Sequence, residues 1–393
     1  MDLIDAIDRH LEILVERIGP RPPGSPANHR ANDYLVDTLR GAGLDVTAVP
    51  FTTTWWRPGA ARLEIAGESV ALDPPPFSRP CDVSGPVRRF ADRPALARAE
   101  DLSGSVLVLH GQLTTEPIFP KAFPFLELPE QRAFVDDLER LRPAAVVAVV
   151  ERAGPYAFFE DPDLAFPYAI VGPDLGRSLG EGSVVRLSVG GELLEGPGVN
   201  VAARTPGSRG ARRRIVVSAH VDSKVTTPGA FDNAGGVATL LALAGSRRIH
   251  DRPVELVFFN GEDHYSAPGE QAWLASTDLE QVAGTVNLDG AGVTGRDTAV
   301  AALACPPELE ARARRLVTGR SGWTMAEAWY ESDHAIFAMR GIPSLAITTA
   351  GVHDLLADLA HTERDTRDVV DPAILAGAGE FLVDWLEAEP AVG

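Results

Sequence analysis

In the second half of the chain, the side chains able to bind metal or move protons recur at the ends of apolar runs. His220 and Asp222 close RIVVSAHVD, and Asp232 with Asn233 follows on the next loop. Glu262 and Asp263 end VELVFFNGED, Asp289 ends TVNLDG, and His361 stands in AHTERDT. Each alone says little, since a single histidine in an apolar setting is usually a hydrogen-bonded core residue and paired acids usually form a solvated turn. Their recurrence at run after run is different, because unpaired carboxylates are costly to bury there. Carboxylates brought together repel, and a cation that accepts oxygen and imidazole ligands together relieves the repulsion. Histidine and aspartate ligands without thiolate suit zinc, with manganese or cobalt as substitutes. Two divalent ions would be balanced by Asp232, Asp263 and Asp289 together with one bridging hydroxide. Glu262 is then left beside the ligands, uncommitted to metal and placed to take the proton from the bridging water.

Such residues need a scaffold that delivers them to one place. The runs VNVAART, RIVVSAHVD, VELVFFNGE, TVNLDG, TAVAALAC and PSLAITT are apolar on both faces. They alternate with helical stretches over 235–248, near Gln271, over 309–318 and over 373–386. This pattern predicts an α/β fold with a mostly parallel central sheet flanked by helices, in which ligands sit beyond the carboxyl ends of the strands. Upstream, a helix over about 3–18 is stopped by GPRPPGS, and a second runs near 27–42. Between them and the sheet, residues 51–197 carry short strands (SVLVLHG, AAVVAVVE, YAIVG, VVRLSVGG) separated by proline-rich loops. The expected organisation is one domain made of 1–50 and 198–393, interrupted by an inserted, mainly β domain over 51–197.

Composition narrows the function classes. The chain has 393 residues, 45% hydrophobic and 23% charged, which excludes a disordered or fibrous protein. Lys and Arg number 36 against 55 Asp and Glu, and a net charge of −19 repels phosphate backbones, so nucleic acid is not an expected partner. Cys81 and Cys305 are the only cysteines, too few for a disulfide scaffold or a four-thiolate zinc site. The first residues lack a basic stretch followed by an apolar one, and no run reaches ~18 uninterrupted apolar residues. A cytoplasmic protein without a membrane span is the expectation.

The motifs taken together resemble a known family. HVDSKVTTPGAFDNAGGVATLLALA, FFNGED, VNLDG, YESDHAIFAMRGIPS and AHTERDT are similar to the dinuclear zinc aminopeptidases of clan MH, a group that includes bacterial leucyl aminopeptidases, glutamate carboxypeptidase and transferrin receptor. The lead-in IGPRPPGSPANHRANDYLVDTLRGAGLDV is similar as well, so the resemblance covers about 1–50 and 198–393. It implies two zinc ions per chain, one held by His220, Asp232 and Asp289 and the other by Asp232, Asp263 and His361. Asp232 would bridge, Glu262 would be the general base, and Asp222 would orient His220 through its ring N–H. The Asp232–Asn233 peptide would be cis. This chain departs from the family by carrying Asp263 where glutamate is usual and Ala360 where some members have a tyrosine that stabilises the oxyanion. Tyr330 is the candidate to take that role, an ordinary aromatic being the other reading. His264 and His334 stand near the site as candidates to touch substrate, the alternative being structural roles. The inserted module resembles a protease-associated domain, and its stretch PIFPKAFPFLELPEQ either lines the pocket or is an ordinary hydrophobic loop.

The expected function is a metal-dependent exopeptidase, an aminopeptidase that removes the N-terminal residue of a peptide by a metal-bridged hydroxide. A carboxypeptidase or small-amide deacylase would use the same dinuclear site but needs a cationic anchor, for which Arg340 is the candidate. Glutaminyl cyclase-like acyl transfer on one zinc is a further alternative. A binding module, as in transferrin receptor, is disfavoured by the full set of ligands. Shell-forming zinc aminopeptidases insert their extra domain between the first histidine and the bridging aspartate, whereas here His220 and Asp232 share one short loop.

Overall fold

The computed structural model describes residues 2–121, 128–151 and 158–387. It divides into two compact units, Met1–Thr53 with Gly196–Gly393, and Thr54–Glu195.

The first unit opens with α1 (Leu3–Leu11), whose turns continue as a π-helical segment, Glu12–Ile18, ended at Gly19 with φ 76°. The single helix expected over 3–18 is thus two helical types in succession. Helix α2 (Pro26–Ala42) is a well-signalled element. Ser25 accepts from the Asn28 N–H at 3.1 Å, proline occupies the first turn, and Gly43 ends the helix in the left-handed region. Its buried face is Asn28, Ala31, Asn32, Leu35 and Leu39, a helical stripe with two amides at one end.

Strand β1 (Asp45–Ile65) begins in the first unit and ends in the second, where it pairs antiparallel with β2 (Glu68–Leu72). The second unit continues with β3 (Cys81–Phe90), β4 (Val106–Leu109), β5 (Ala145–Val149) and β6 (Tyr168–Val171), which run parallel in that order. Helix α3 (Arg93–Arg98) lies between β3 and β4, α4 (Pro129–Leu141) between β4 and β5, and α5 (Pro173–Ser178) follows β6. Phe134, Leu138 and Leu141 of α4 pack on Leu107 and Val146. The stretch PIFPKAFPFLELPEQ lies partly outside the described residues, over 122–127. Strand β7 (Val184–Arg204) pairs antiparallel with β3 and runs on without a break through Gly196-Pro197-Gly198. These residues read in the sequence as a punctuation between domains. Extended backbone accommodates proline wherever its missing N–H is owed to no neighbouring strand.

The first unit then resumes as β8 (Arg214–His220), α6 (Gly235–Ser246), β9 (Val254–Phe259), α7 (Gly269–Ser276) and β10 (Val282–Leu288). It closes with β11 (Thr298–Leu303), α8 (Pro307–Thr318), β12 (Trp323–Met325), α9 (His334–Ala338), β13 (Ser344–Thr349), α10 (Val352–Asp358) and α11 (Pro372–Glu387). The strand order is β12-β11-β13-β10-β8-β9-β7, with β13, β10, β8 and β9 mutually parallel, β11 antiparallel to β13 but parallel to β12, and β7 antiparallel to β9. Every residue of β8 and β9 is buried, as continuous apolar runs require in a sheet covered on both faces. Helix α6 is buried from Gly235 to Ala244 because β8 lies on one side and α1, α2 and α11 on the other. Truncating a fully buried leucine there, such as Leu241, costs ~2–5 kcal/mol. Among the described residues no helix is long and apolar enough to cross a membrane.

Candidate metal centre

The carboxyl ends of β8, β9 and β10 deliver the chemistry. His220 is the last residue of β8, Asp289 directly follows β10, and the turn after β9 carries Glu262 and Asp263. The loop between β8 and α6 carries Asp222 and Asp232, and its Asp232–Asn233 peptide is cis, as the resemblance implies. Asn233 secures that turn: its amide donates to the Leu288 carbonyl at 2.7 Å and its oxygen accepts from the Gly236 N–H at 3.1 Å. His361 follows α10 with a left-handed φ of 58°.

These side chains converge into two sets that share Asp232. His220 Nε2 lies 3.0 Å from Asp232 Oδ1 and 3.4 Å from Asp289 Oδ1. His361 Nε2 lies 3.2 Å from Asp232 Oδ2 and 2.8 Å from Asp263 Oδ1. His220, Asp232 and Asp289 form one possible cation site, and Asp232, Asp263 and His361 the other. Nitrogen and oxygen ligands ~2.0–2.2 Å from a tetrahedral ion lie ~3.3 Å apart, the separation found here. The donor set passes a second test of fit. His220 Nε2 and Asp263 Oδ2 are buried without a partner in hydrogen-bond geometry, although carboxylate oxygens stand close to the imidazole. Glu262 belongs to neither set; its Oε2 is 3.8 Å from His220 Nε2.

The electrostatics express the same crowding. Burial, reinforced by Asp289, Asp263 and Asp333, holds the Glu262 carboxyl well above the usual range, with His220 pulling the other way. Burial depresses the histidines, but the carboxylates outweigh it: Asp289 and Glu262 hold His220 well above its ordinary value, and Asp263 with Asp232 pushes His361 up to about 10. A divalent cation in each set would do the work those protons do, which is to separate negative charges.

Around the two candidate sets stands a layer of supporting groups. The Asp222 carboxylate lies 3.6 Å from His220 Nδ1 and 3.2 Å from His264 Nδ1, so one carboxylate faces two imidazoles. Ser332 donates to Asp289 Oδ2 at 2.5 Å. Asp365 accepts from the N–H groups of Phe231 and Asp232 at 2.6 and 3.1 Å, and burial followed by the Asp232 charge pushes it up to about 7. Lys224, 1% exposed, donates its ammonium to the Asp263 carbonyl and lies 5.0 Å from the Tyr265 ring centroid. Ser332, Asp365 and Lys224 all sit inside motifs read from the sequence, but nothing in their spacing separates them from neighbouring polar residues. Their signal is proximity in space.

The remaining candidates fall differently. His264 is buried against Asp222, and His334 is buried with Nε2 2.7 Å from the Trp329 carbonyl and its ring edge-on to that indole. Both rings are buried, at 3% and 0% exposure. Tyr330 is 50% exposed and stands two residues from Ser332. Arg340 donates to the Ile336 carbonyl at 2.7 Å.

A parallel α/β sheet thus brings two linked His/Asp sets, each able to hold a cation, to its carboxyl edge, with Glu262 beside them. The model of Peptidase family M28 matches residues 200–386 of this chain. Among curated relatives, a vacuolar membrane protease of Clavispora lusitaniae is 33% identical over 99 residues, 25% of this chain and 10% of that protein. A probable lipoprotein aminopeptidase, LpqL, of Mycobacterium tuberculosis is 24% identical over 300 residues, 71% of this chain and 57% of that protein. The chain therefore spans about a tenth and somewhat over half of these two relatives. Among solved structures, a zinc aminopeptidase from Bacillus subtilis superposes with a TM-score of 0.76 at 18% identity, covering 99% of this chain and 97% of that one. An aminopeptidase from Aneurinibacillus sp. strain AM-1 gives 0.74 at 20% identity over 98% and 96% of the two chains. A Porphyromonas gingivalis glutaminyl cyclase gives 0.53 at 17% identity over 98% and 99%. These structural likenesses are likenesses of fold.

Proposed function

We propose that this chain is a metal-dependent aminopeptidase that hydrolyses the N-terminal residue from peptides or small amides, with two zinc ions per chain. The observation that carries the reading is the pair of Asp232 oxygens, each turned to a different histidine and a different further carboxylate. His220, Asp232 and Asp289 would hold one ion, and Asp232, Asp263 and His361 the other. Cations held there would polarise the scissile carbonyl and make a water acidic enough to lose its proton near pH 7. Glu262 Oε2 takes that proton and returns it to the departing amine. Asp222 keeps the His220 ring in place from its Nδ1 side. The exposed Tyr330 hydroxyl is the donor proposed for the developing oxyanion.

A free α-ammonium suits a site edged by the partly accessible carboxylates of Glu262 and Asp289, and the names of two solved relatives support the same choice. A carboxypeptidase would need an unengaged cation; Lys224 and Arg340 both donate to backbone carbonyls. Acyl transfer on a single ion is disfavoured by the second group of residues able to hold a cation. The inserted unit is proposed to be a protease-associated domain.

Glu262→Gln tests the reading. The substitution keeps the shape and removes the base, so turnover of an amino-acid nitroanilide should fall by ~10²–10⁴ while zinc content stays unchanged. Retention of more than a tenth of the activity would remove Glu262 from the mechanism.

A further inference from the structure

A single buried guanidinium spans the loop that joins the first histidine to the bridging aspartate. Arg21, 0% exposed, comes from the Gly-Pro-Arg-Pro segment between the π-helical turn and α2. Its Nε donates to the Val221 carbonyl at 2.6 Å, Nη1 to the Pro228 carbonyl at 2.6 Å, and Nη2 to the Gly229 carbonyl at 2.8 Å. Nη1 also reaches the Gly19 carbonyl at 3.4 Å, and the Arg21 backbone N–H donates to Ser223 Oγ at 3.2 Å. Val221 directly follows the ligand His220, and Gly229 lies three residues before the ligand Asp232. One rigid planar fork therefore fixes the two ends of the loop against each other. The fit is close: a Cβ on Gly229 would stand 2.6 Å from the Asp232 carbonyl oxygen and 3.2 Å from Arg21 Nη2.

The same segment reaches the second ligand loop. The Asn28 amide donates both to the Arg21 carbonyl at 3.0 Å and to Asn260 Oδ1 at 2.5 Å, and the Asn260 amide donates to Asn32 Oδ1 at 3.1 Å. Asn260 stands two residues before Glu262. All of these side chains are buried, and a desolvated guanidinium is costly unless its donors are satisfied, a condition these carbonyls meet only while the loop keeps this geometry. Its side-chain hydrogen bonds go to backbone carbonyls.

We infer that Arg21 is a positioning residue for the metal centre, a brace from the N-terminal segment that sets Asp232 relative to His220 and, through Asn28 and Asn260, relative to Glu262 and Asp263. The inference rests on reading these residues as a metal centre, and the test keeps the two apart. Full-length wild type, Arg21→Lys and Ser223→Ala chains are stripped with chelator and titrated with Co2+, with visible absorption, nitroanilide kinetics, thermal unfolding and amide hydrogen exchange as readouts. Lysine keeps the charge but cannot span three carbonyls. Arg21→Lys should bind Co2+ ~10–100-fold more weakly, change the cobalt absorption bands, and lower kcat far more than it raises KM. Ser223→Ala, which leaves the guanidinium in place, should move each in the same direction by less. Wild-type affinity, bands and kcat in Arg21→Lys, with only the unfolding temperature lowered, would overturn the inference. If Arg21→Lys fails to fold, unchanged Co2+ binding in Ser223→Ala overturns it. If the wild type takes up no Co2+, the metal reading is what fails. The brace then stands or falls on whether amides 221–232 exchange faster in Arg21→Lys.

Discussion

Asp232 has two carboxylate oxygens, and each faces a different histidine at 3.0 and 3.2 Å. Asp232 is thus the residue shared by the two candidate sets, and under the proposed function Asp232→Asn should reduce bound zinc from two equivalents toward one or none, as elemental analysis would show; two tightly bound equivalents would contradict a bridge. The histidines make metal uptake depend on pH in a definite direction. An imidazole ligates only when neutral, while the surrounding carboxylates hold His361 up to about 10 and His220 well above its ordinary value. Each must therefore shed a proton on binding below those values, so zinc affinity rises with pH, by up to about tenfold per unit for each histidine. Calorimetric titration with Zn2+ in buffers of different ionisation enthalpy should report at least two protons released per chain for two ions. A heat independent of buffer would rule this coupling out.

At the level of elements, the strands and the helix between them were readable because their physics is local. β8 and β9 are apolar on both faces and α6 on all sides, which is how segments buried between layers must look. That reading led to the strand ends, where His220, Asp263 and Asp289 meet. What stayed hidden depends on partners that any sequence supplies. The carbonyls that Arg21 grips have no residue identity, the burial of His264 and His334 depends on Asp222 and Trp329 arriving from elsewhere, and the π-helical turn at Glu12–Ile18 has the same apolar stripe as an α-helix. Helices α1 and α2 carry a pH dependence of their own. His10 Nδ1 lies 2.6 Å from the Tyr34 hydroxyl, and burial, then Arg9, lowers the imidazole to about 4. Because its folded value lies below the unfolded one of 6.5, the contribution is whole above pH 6.5 and is lost as pH falls from there toward 4. The loss is at most ~1.4 kcal/mol per pH unit in that window. His10→Gln should flatten the fall in unfolding free energy between pH 6.5 and 4; an unchanged slope would mean that His10 titrates normally.

For the whole molecule, a formal charge of −19 includes carboxylates that are not free surface charge, Asp232, Asp263 and Asp289 among them. The two units have separate cores, the larger built on α6 and the parallel strands, the other on α4 and the strands beside it. Zinc at 100 times its dissociation constant would stabilise its own unit by ~2.7 kcal/mol, and the protection should appear in hydrogen exchange over 214–289 rather than over 54–195. The most direct measurement adds zinc back to the chelator-treated full chain and follows both bound metal and hydrolysis of an N-terminal amino-acid amide. Uptake should saturate at two equivalents, and activity, absent without metal, should return with them for a free α-amine and not for its N-acetylated analogue. Activity that survives the chelator, or metal that binds without restoring it, would contradict a zinc-dependent aminopeptidase.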